Sequence, residues 1–420
     1  MKNSFSKACL IILLLWLPLF ASAQHLKELK AWAAKDAKSR GAFREQPFAD
    51  AVLSEKEAAE ATQILWQDSR QQLKAALAQE WQNKAFQAGS HTLKFKYKVF
   101  GEQPADGRSL YISMHGGGNA SPEVNDQQWE NQIRLYTPAE GVYVAPRAPT
   151  DTWDLWHQSH IDTLFDKLIE AAIVFEGVNP NKVYLMGYSA GGDGVYQLAP
   201  RMADHWAAAA MMAGHPNEAS PVNLRNIGFT IHVGALDDGF NRNAVAQKWS
   251  LLLDSLQQQD PEGYKYFVQL HTGRAHWMNR EDSVAVPWMA AFRRNPVPAK
   301  VVWKQDDVHH TSFYWLAVPA SSAKTDNVVV AAYKDNTINI TRNDSDTLYI
   351  RLNDQMVNLN KPVTVTYLGR SVFKGKLKRK LRLMHQTLEE RKDPGLVFSS
   401  EIMLVNGKVA ATSNASELAN

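Results

Sequence analysis

The stretch Gly187-Tyr188-Ser189-Ala190-Gly191 limits what this chain can fold into more than any other, because of what flanks it. Lys182 to Met186 reads as a strand directly before it, and Gly192-Asp193-Gly194 followed by Val195 to Ala199 begins a helix. A backbone that passes from strand to helix in so few residues turns sharply, and only small neighbours permit the strained conformation this imposes. Such a turn exposes the serine hydroxyl at the sheet edge and aims the free N–H groups of the helix N-terminus at it. Ser189 is therefore the expected nucleophile. Glycines beside a serine also occur in ordinary turns, and the flanking strand and helix are what make this one specific.

The surrounding pattern supplies the sheet that such a turn needs. From His91 onward strands and helices alternate: Leu93 to Phe100 alternates apolar and polar residues as a strand does, and Ser109 to Met114, Val142 to Ala145, Val183 to Met186, Trp206 to Met212, Phe229 to Val233 and Tyr266 to Leu270 are short apolar runs. Between them lie longer segments such as Ile161 to Phe175, whose apolar residues recur at helical spacing. Short buried runs between helices predict an α/β fold with a mostly parallel sheet covered on both faces. Upstream, residues 24–89 are expected to be helical, with Ser54 and Glu57 at capping-box spacing. Asn295-Pro296-Val297-Pro298 divides an α/β region over 90–295 from a C-terminal region over 296–420, where short runs between turn residues predict a β-sandwich. The basic run Lys374 to Arg382 is expected to be a solvated helix start.

The N-terminus is set aside as processing signal rather than fold. Lys2 and Lys7 precede an apolar run from Ala8 to Phe20, and Ala21-Ser22-Ala23 offers small residues for cleavage, which is the layout of a secretory signal peptide over 1–23. The run is shorter than the ~18 residues of a spanning helix, so no stable membrane anchor is expected after processing, and a secreted or periplasmic protein is. Removing Lys2 and Lys7 lowers the net charge from +3 to +1, a balance that argues against nucleic acid as a partner. The only cysteine, Cys9, is removed as well, so disulfides, thiolate metal sites and a cysteine nucleophile are excluded from the mature chain.

His115-Gly116-Gly117-Gly118 follows the strand ending at Met114. Acyl transfer creates an oxyanion that needs preorganised N–H donors, and successive glycines let backbone amides approach a substrate. The expected donors are Gly117 or Gly118 together with Ala190, and His115 is expected to hold the loop rather than act as a base. When the order in the chain is serine, acid, histidine, the usable histidines are the late ones. His276, in the loop after the last strand, is preferred over His271. Asp237 is preferred over Asp238, both lying just past the run Phe229 to Val233. A carboxylate there would fix the tautomer of the histidine and stabilise its charged form. No metal or organic cofactor is required by this chemistry. Trp153, Trp156 and His157, with Tyr188, are the expected substrate-binding surface; the alternative is that the two tryptophans pack their loop onto the sheet.

On His115-Gly-Gly-Gly, Gly-Tyr-Ser189-Ala-Gly-Gly, Gly234-x-x-Asp237 and the loop with His276, the region from about 91 to 295 resembles the α/β-hydrolase superfamily. Within it, the resemblance is to secreted esterases akin to feruloyl esterases and polyhydroxybutyrate depolymerases, and to prolyl-oligopeptidase-like hydrolases. It implies a serine hydrolase acting on a small-molecule or polymer-borne ester. The chain departs from secreted depolymerases that carry disulfides, since its mature form has no cysteine. A serine peptidase with the same triad and a non-catalytic glycan-binding protein stay open as alternatives.

Overall fold

Alternating faces of one large sheet organise the centre of the molecule. The computed structural model describes residues 24–414, so the signal segment expected at 1–23 lies outside the described residues. The sheet strands are β1 (Ala85–Ala88), β2 (His91–Phe100), β3 (Arg108–Met114), β4 (Gly141–Arg147), β5 (Val178–Tyr188), β6 (Ala208–Met212), β7 (Gly228–Gly234) and β8 (Lys265–His271). They lie in the order β1-β2-β4-β3-β5-β6-β7-β8. β2 is antiparallel to β1 and β4, and every pair from β4 to β8 is parallel. The expected mostly parallel sheet is thus present, with its antiparallel strand near one edge.

Because successive side chains point to opposite faces, each strand feeds two cores. Leu110, Ile112, Val142, Val144, Val183, Leu185, Ala209 and Met211 face one, and Tyr111, Tyr143, Ala145, Tyr184, Met186, Ala208 and Ala210 face the other. Helices around this sheet include α1 (Glu55–Asn83), α2 (Pro122–Gln132), α3 (His160–Glu176), α4 (Ala190–Arg201), α5 (Arg242–Gln259) and α6 (Ala285–Ala290). Residues of α1, α3, α4 and α5 cover the first face, while Trp129 of α2 and Ala285, Val286 and Met289 of α6 cover the second.

Two expectations change here. Residues 85–88, read as the end of the helical segment, are the first strand of the sheet. Lys84 adopts a left-handed conformation (φ 53°) that stops α1, and Phe86 turns into the core. The basic run is not simply solvated either. Arg379 is buried and donates to Asp354 at 2.6 Å, Arg382 reaches Asp50 at 2.6 Å, and Arg379–Lys380 pairs with Val52–Leu53. The helix that follows, α7 (Leu381–Arg391), packs Leu381, Met384 and Leu388 against Leu29, Trp32, Ala58 and Leu65. Ser54 caps α1 with the reciprocal bonds of a capping box, its hydroxyl accepting from Glu57 N–H while the Glu57 carboxylate accepts from Ser54 N–H.

Beyond Lys300 two five-stranded sheets face each other. One carries Val301, Trp303, Val329, Ile338 and Val365 inward, the other Phe313, Leu348, Ile350, Ile402 and Leu404. Their shared apolar core is continuous with that of the central sheet.

Candidate active site

Ser189 sits at the C-terminal end of β5, one residue before α4, with φ 57° and ψ −123°. That conformation is costly for a residue with a side chain and marks a strained turn. Its N–H donates to Met212 O at 2.9 Å, fixing the turn against the end of β6. The turn is possible only because the chain comes so close to itself at Gly191: a Cβ there would lie 2.2 Å from Met114 O. Ala190 opens α4, so its N–H belongs to the first turn, where helical geometry leaves donors unpaired.

Two other strand ends deliver partners. Asp237 follows β7 and is only 3% exposed, its backbone held by Gly234 O and by Asn243 N–H. His276 lies in the loop after β8. Its Nε2 is 3.0 Å from Ser189 Oγ and its Nδ1 is 2.8 Å from Asp237 Oδ2. With Nδ1–H donating to the carboxylate, Nε2 is left to accept from the serine hydroxyl. Arg242 Nη1 lies 3.7 Å from Asp237 Oδ1. Asp238 is exposed, and His271 is buried 3.1 Å from His232 Nδ1, away from the serine. Of the residues weighed, Asp237 and His276 are the pair that meets Ser189.

The glycine loop comes over the serine between β3 and α2. Gly117 (φ 107°) lines the cavity beside Ser189. Gly118 cannot serve as the expected donor, because its N–H already donates to Asn125 Oδ1 at 2.8 Å. Asn125 is fully buried, and its amide group donates in turn to Ala120 O. It is an element of the site that a sequence gives little sign of. His115 holds this loop: Nδ1 is 2.6 Å from Gly116 O, and Nε2 accepts from Ala148 N–H at 3.1 Å. Burial pushes its imidazole down to about 4, so it stays neutral.

The cavity at Ser189 has a volume of about 580 Å³ and is lined by Gly116, Gly117, Gln128, Tyr188, His276 and Trp277 among others. The expected tryptophan surface lies elsewhere. Trp156 is completely buried and donates its indole N–H to His115 O at 2.9 Å. Trp153 is 60% exposed and meets His157 edge-on at 5.4 Å, outside that lining. The backbone of His157 accepts from Arg201 at 2.9 Å, and burial lowers the pKa of its ring. Part of this loop packs behind Gly118, with the Leu155 side chain and the backbone oxygens of Thr152 and Trp153 against it, while the Trp153 ring stays exposed. Tyr188 does line the cavity, yet its hydroxyl is occupied: it donates to His276 O at 2.6 Å and accepts from Met278 N–H at 3.1 Å. Behind the same loop, buried Tyr136 donates to Asp282. Among the described residues, no three His, Cys, Asp or Glu side chains gather as a metal site.

No family model and no curated protein matches the chain. Solved structures do. Half of the chain (50%) is similar to 62% of a thermostable esterase, at 16% identity and a TM-score of 0.36; this chain therefore spans less than two thirds of that protein. It is also similar to Thermogutta terrifontis esterase 2 over 49% of this chain and 89% of that one (18% identity, TM-score 0.36). A feruloyl esterase module from Clostridium thermocellum, complexed with sinapinate, matches over 50% of this chain and 86% of that one (11% identity, TM-score 0.34). On its strand order, its turn at Ser189 and the glycine loop between β3 and α2, the central region has the α/β-hydrolase fold.

Proposed function

We propose that this chain is a serine hydrolase that cleaves carboxylic esters through an acyl-enzyme. The observation that carries the reading is the unbroken line from Ser189 Oγ through His276 to Asp237, at 3.0 and 2.8 Å, on a strained turn facing a cavity. Ser189 Oγ attacks the acyl carbonyl while His276 Nε2 takes its proton, and buried Asp237 stabilises the imidazolium. The oxyanion rests on the N–H groups of Gly117 and Ala190. Collapse of the tetrahedral species breaks the ester C–O bond, and His276 returns its proton to the departing alcohol. Water, deprotonated by the same imidazole, then releases the acid and frees Ser189.

With 4-nitrophenyl acetate, the purified protein should release a burst of nitrophenolate equal to the enzyme present, followed by a slower steady state. Ser189→Ala should show neither. Turnover of peptide amides without any turnover of esters would instead favour the peptidase alternative. We also propose that the mature chain is exported, on the order Lys2 and Lys7, apolar run, Ala21-Ser22-Ala23. Protein recovered outside the cytoplasm should then begin at Gln24; an intact Met1 on that protein would contradict it.

A further inference from the structure

The cavity beside Ser189 has a charge bias that the triad does not use. Arg134 and Arg280 line it, no Asp or Glu does, and its other polar lining includes the amides Gln128, Asn131 and Gln132. Nearby arginines are neutralised, Arg242 by Asp237 and Arg274 by Glu281. Among the described residues, Arg134 and Arg280 have no such carboxylate; the bond seen for Arg134 runs from Nε to Glu130 O at 2.9 Å. Arg280 is also held in a left-handed conformation (φ 63°) directly after Asn279, which is left-handed too (φ 53°). Residues with side chains seldom adopt this region even singly. The pair sits between the loop of His276 and the turn leading to α6.

A second observation extends the bias. Arg134 also lines a neighbouring groove of about 660 Å³ together with Lys84, Lys94, Lys96 and Lys98. The one carboxylate in that lining, Glu130, pairs with Lys96. Positive potential therefore runs from Ser189 past Arg134 into a row of lysines, on a chain whose net charge is only +3. Clefts lined by one sign of charge concentrate ligands of the other sign.

We propose that the substrate is an ester bearing a carboxylate away from its scissile bond, held by Arg134 and Arg280, with extended polyanionic esters reaching into the lysine groove. This deepens the ester-hydrolase reading and rests on it. A guanidinium offers a carboxylate two parallel N–H donors, which fixes orientation as well as charge.

The test compares matched esters. Mono-4-nitrophenyl adipate against 4-nitrophenyl hexanoate places the charge on the acyl side; 4-carboxyphenyl butyrate against phenyl butyrate places it on the alcohol side. In at least one pair, kcat/KM should favour the carboxylate member by about tenfold or more, chiefly through KM, and the preference should shrink with added salt. The ratio should collapse in Arg134→Gln and Arg280→Gln and be partly retained in Arg280→Lys. A merely structural role would lower both members of a pair together. Cleavage of the neutral esters with no preference in either pair, or a ratio unchanged in both glutamine variants, overturns the inference. If no ester is cleaved and a fluorophosphonate fails to label Ser189, the ester-hydrolase reading has itself failed, and this inference falls with it.

Discussion

Tyr188 stands beside the nucleophile, yet its hydroxyl ties down the loop that carries His276, donating to His276 O and accepting from Met278 N–H. Tyr188→Phe removes both bonds while keeping the ring between His276 and Trp277. We expect kcat to fall about tenfold, because loss of orientation at the base is expensive, and stability to fall by about 1–2 kcal/mol; steady-state kinetics and thermal melts of the variant check both. Asp237→Asn leaves the shape intact but favours the wrong tautomer of His276, and kcat should drop about 10³- to 10⁴-fold by the same assay. Ser189, Asp237 and His276 could be picked from the sequence because each follows a short apolar run and their order in the chain obeys one rule. The occupied N–H of Gly118 could not, and the burial of Trp156 was one of two readings that the sequence left open. Both depend on tertiary packing against the loops, Asn125 bonded to Gly118 in one case and Trp156 bonded to His115 O in the other.

Between single residues and the whole molecule, the strand-to-helix turn is the element on which the site depends. Gly191→Ala would bring a methyl group to within 2.2 Å of Met114 O. Since that oxygen is backbone at the end of β3, the turn itself must move, and we expect loss of esterase activity at least as complete as in Ser189→Ala, read by the nitrophenolate burst. α1 offers a milder case. Ser54→Ala deletes one bond of its capping box and should lower stability by about 1 kcal/mol in denaturant titrations, with no change in catalysis. The sheet strands were legible because their apolar runs are bounded by turn residues. β1 was not: it is four residues long and follows a helix with only Lys84 between. The pairing of the basic run beyond Lys374 is hidden for a related reason, since the partners of Arg379 and Arg382 are far away in the chain, at Asp354 and Asp50.

At the scale of the whole molecule, the central sheet and the C-terminal sheets are joined by buried charge as well as by a shared core. Asp204 accepts from Arg391 of α7 at 2.6 Å and from Tyr314 N–H at 3.1 Å, and it lies 3.0 Å from His205 Nδ1. Burial alone would lower the His205 pKa, but the carboxylates of Asp204 and Asp166 outweigh it and raise the imidazole to about 9. A raised pKa means that the folded form holds this proton more tightly than the unfolded chain, whose value is about 6.5. The resulting stability is present in full below about pH 6.5 and lost as pH rises through about 9, to the extent of about 3 kcal/mol. Chemical denaturation at pH 6 and pH 9.5 measures it, and His205→Gln should flatten the difference. None of this junction was legible from sequence, because it joins residues more than a hundred positions apart. Function in the proposed hydrolase turns on one serine, Ser189, being an activated nucleophile among all those in the chain. Reaction of the purified protein with a fluorophosphonate, followed by intact mass and peptide mapping, tests it most directly. A single adduct is expected on the peptide containing Ser189, absent from Ser189→Ala and strongly slowed in Asp237→Asn. A folded protein that takes up no label, or takes it elsewhere, would contradict it.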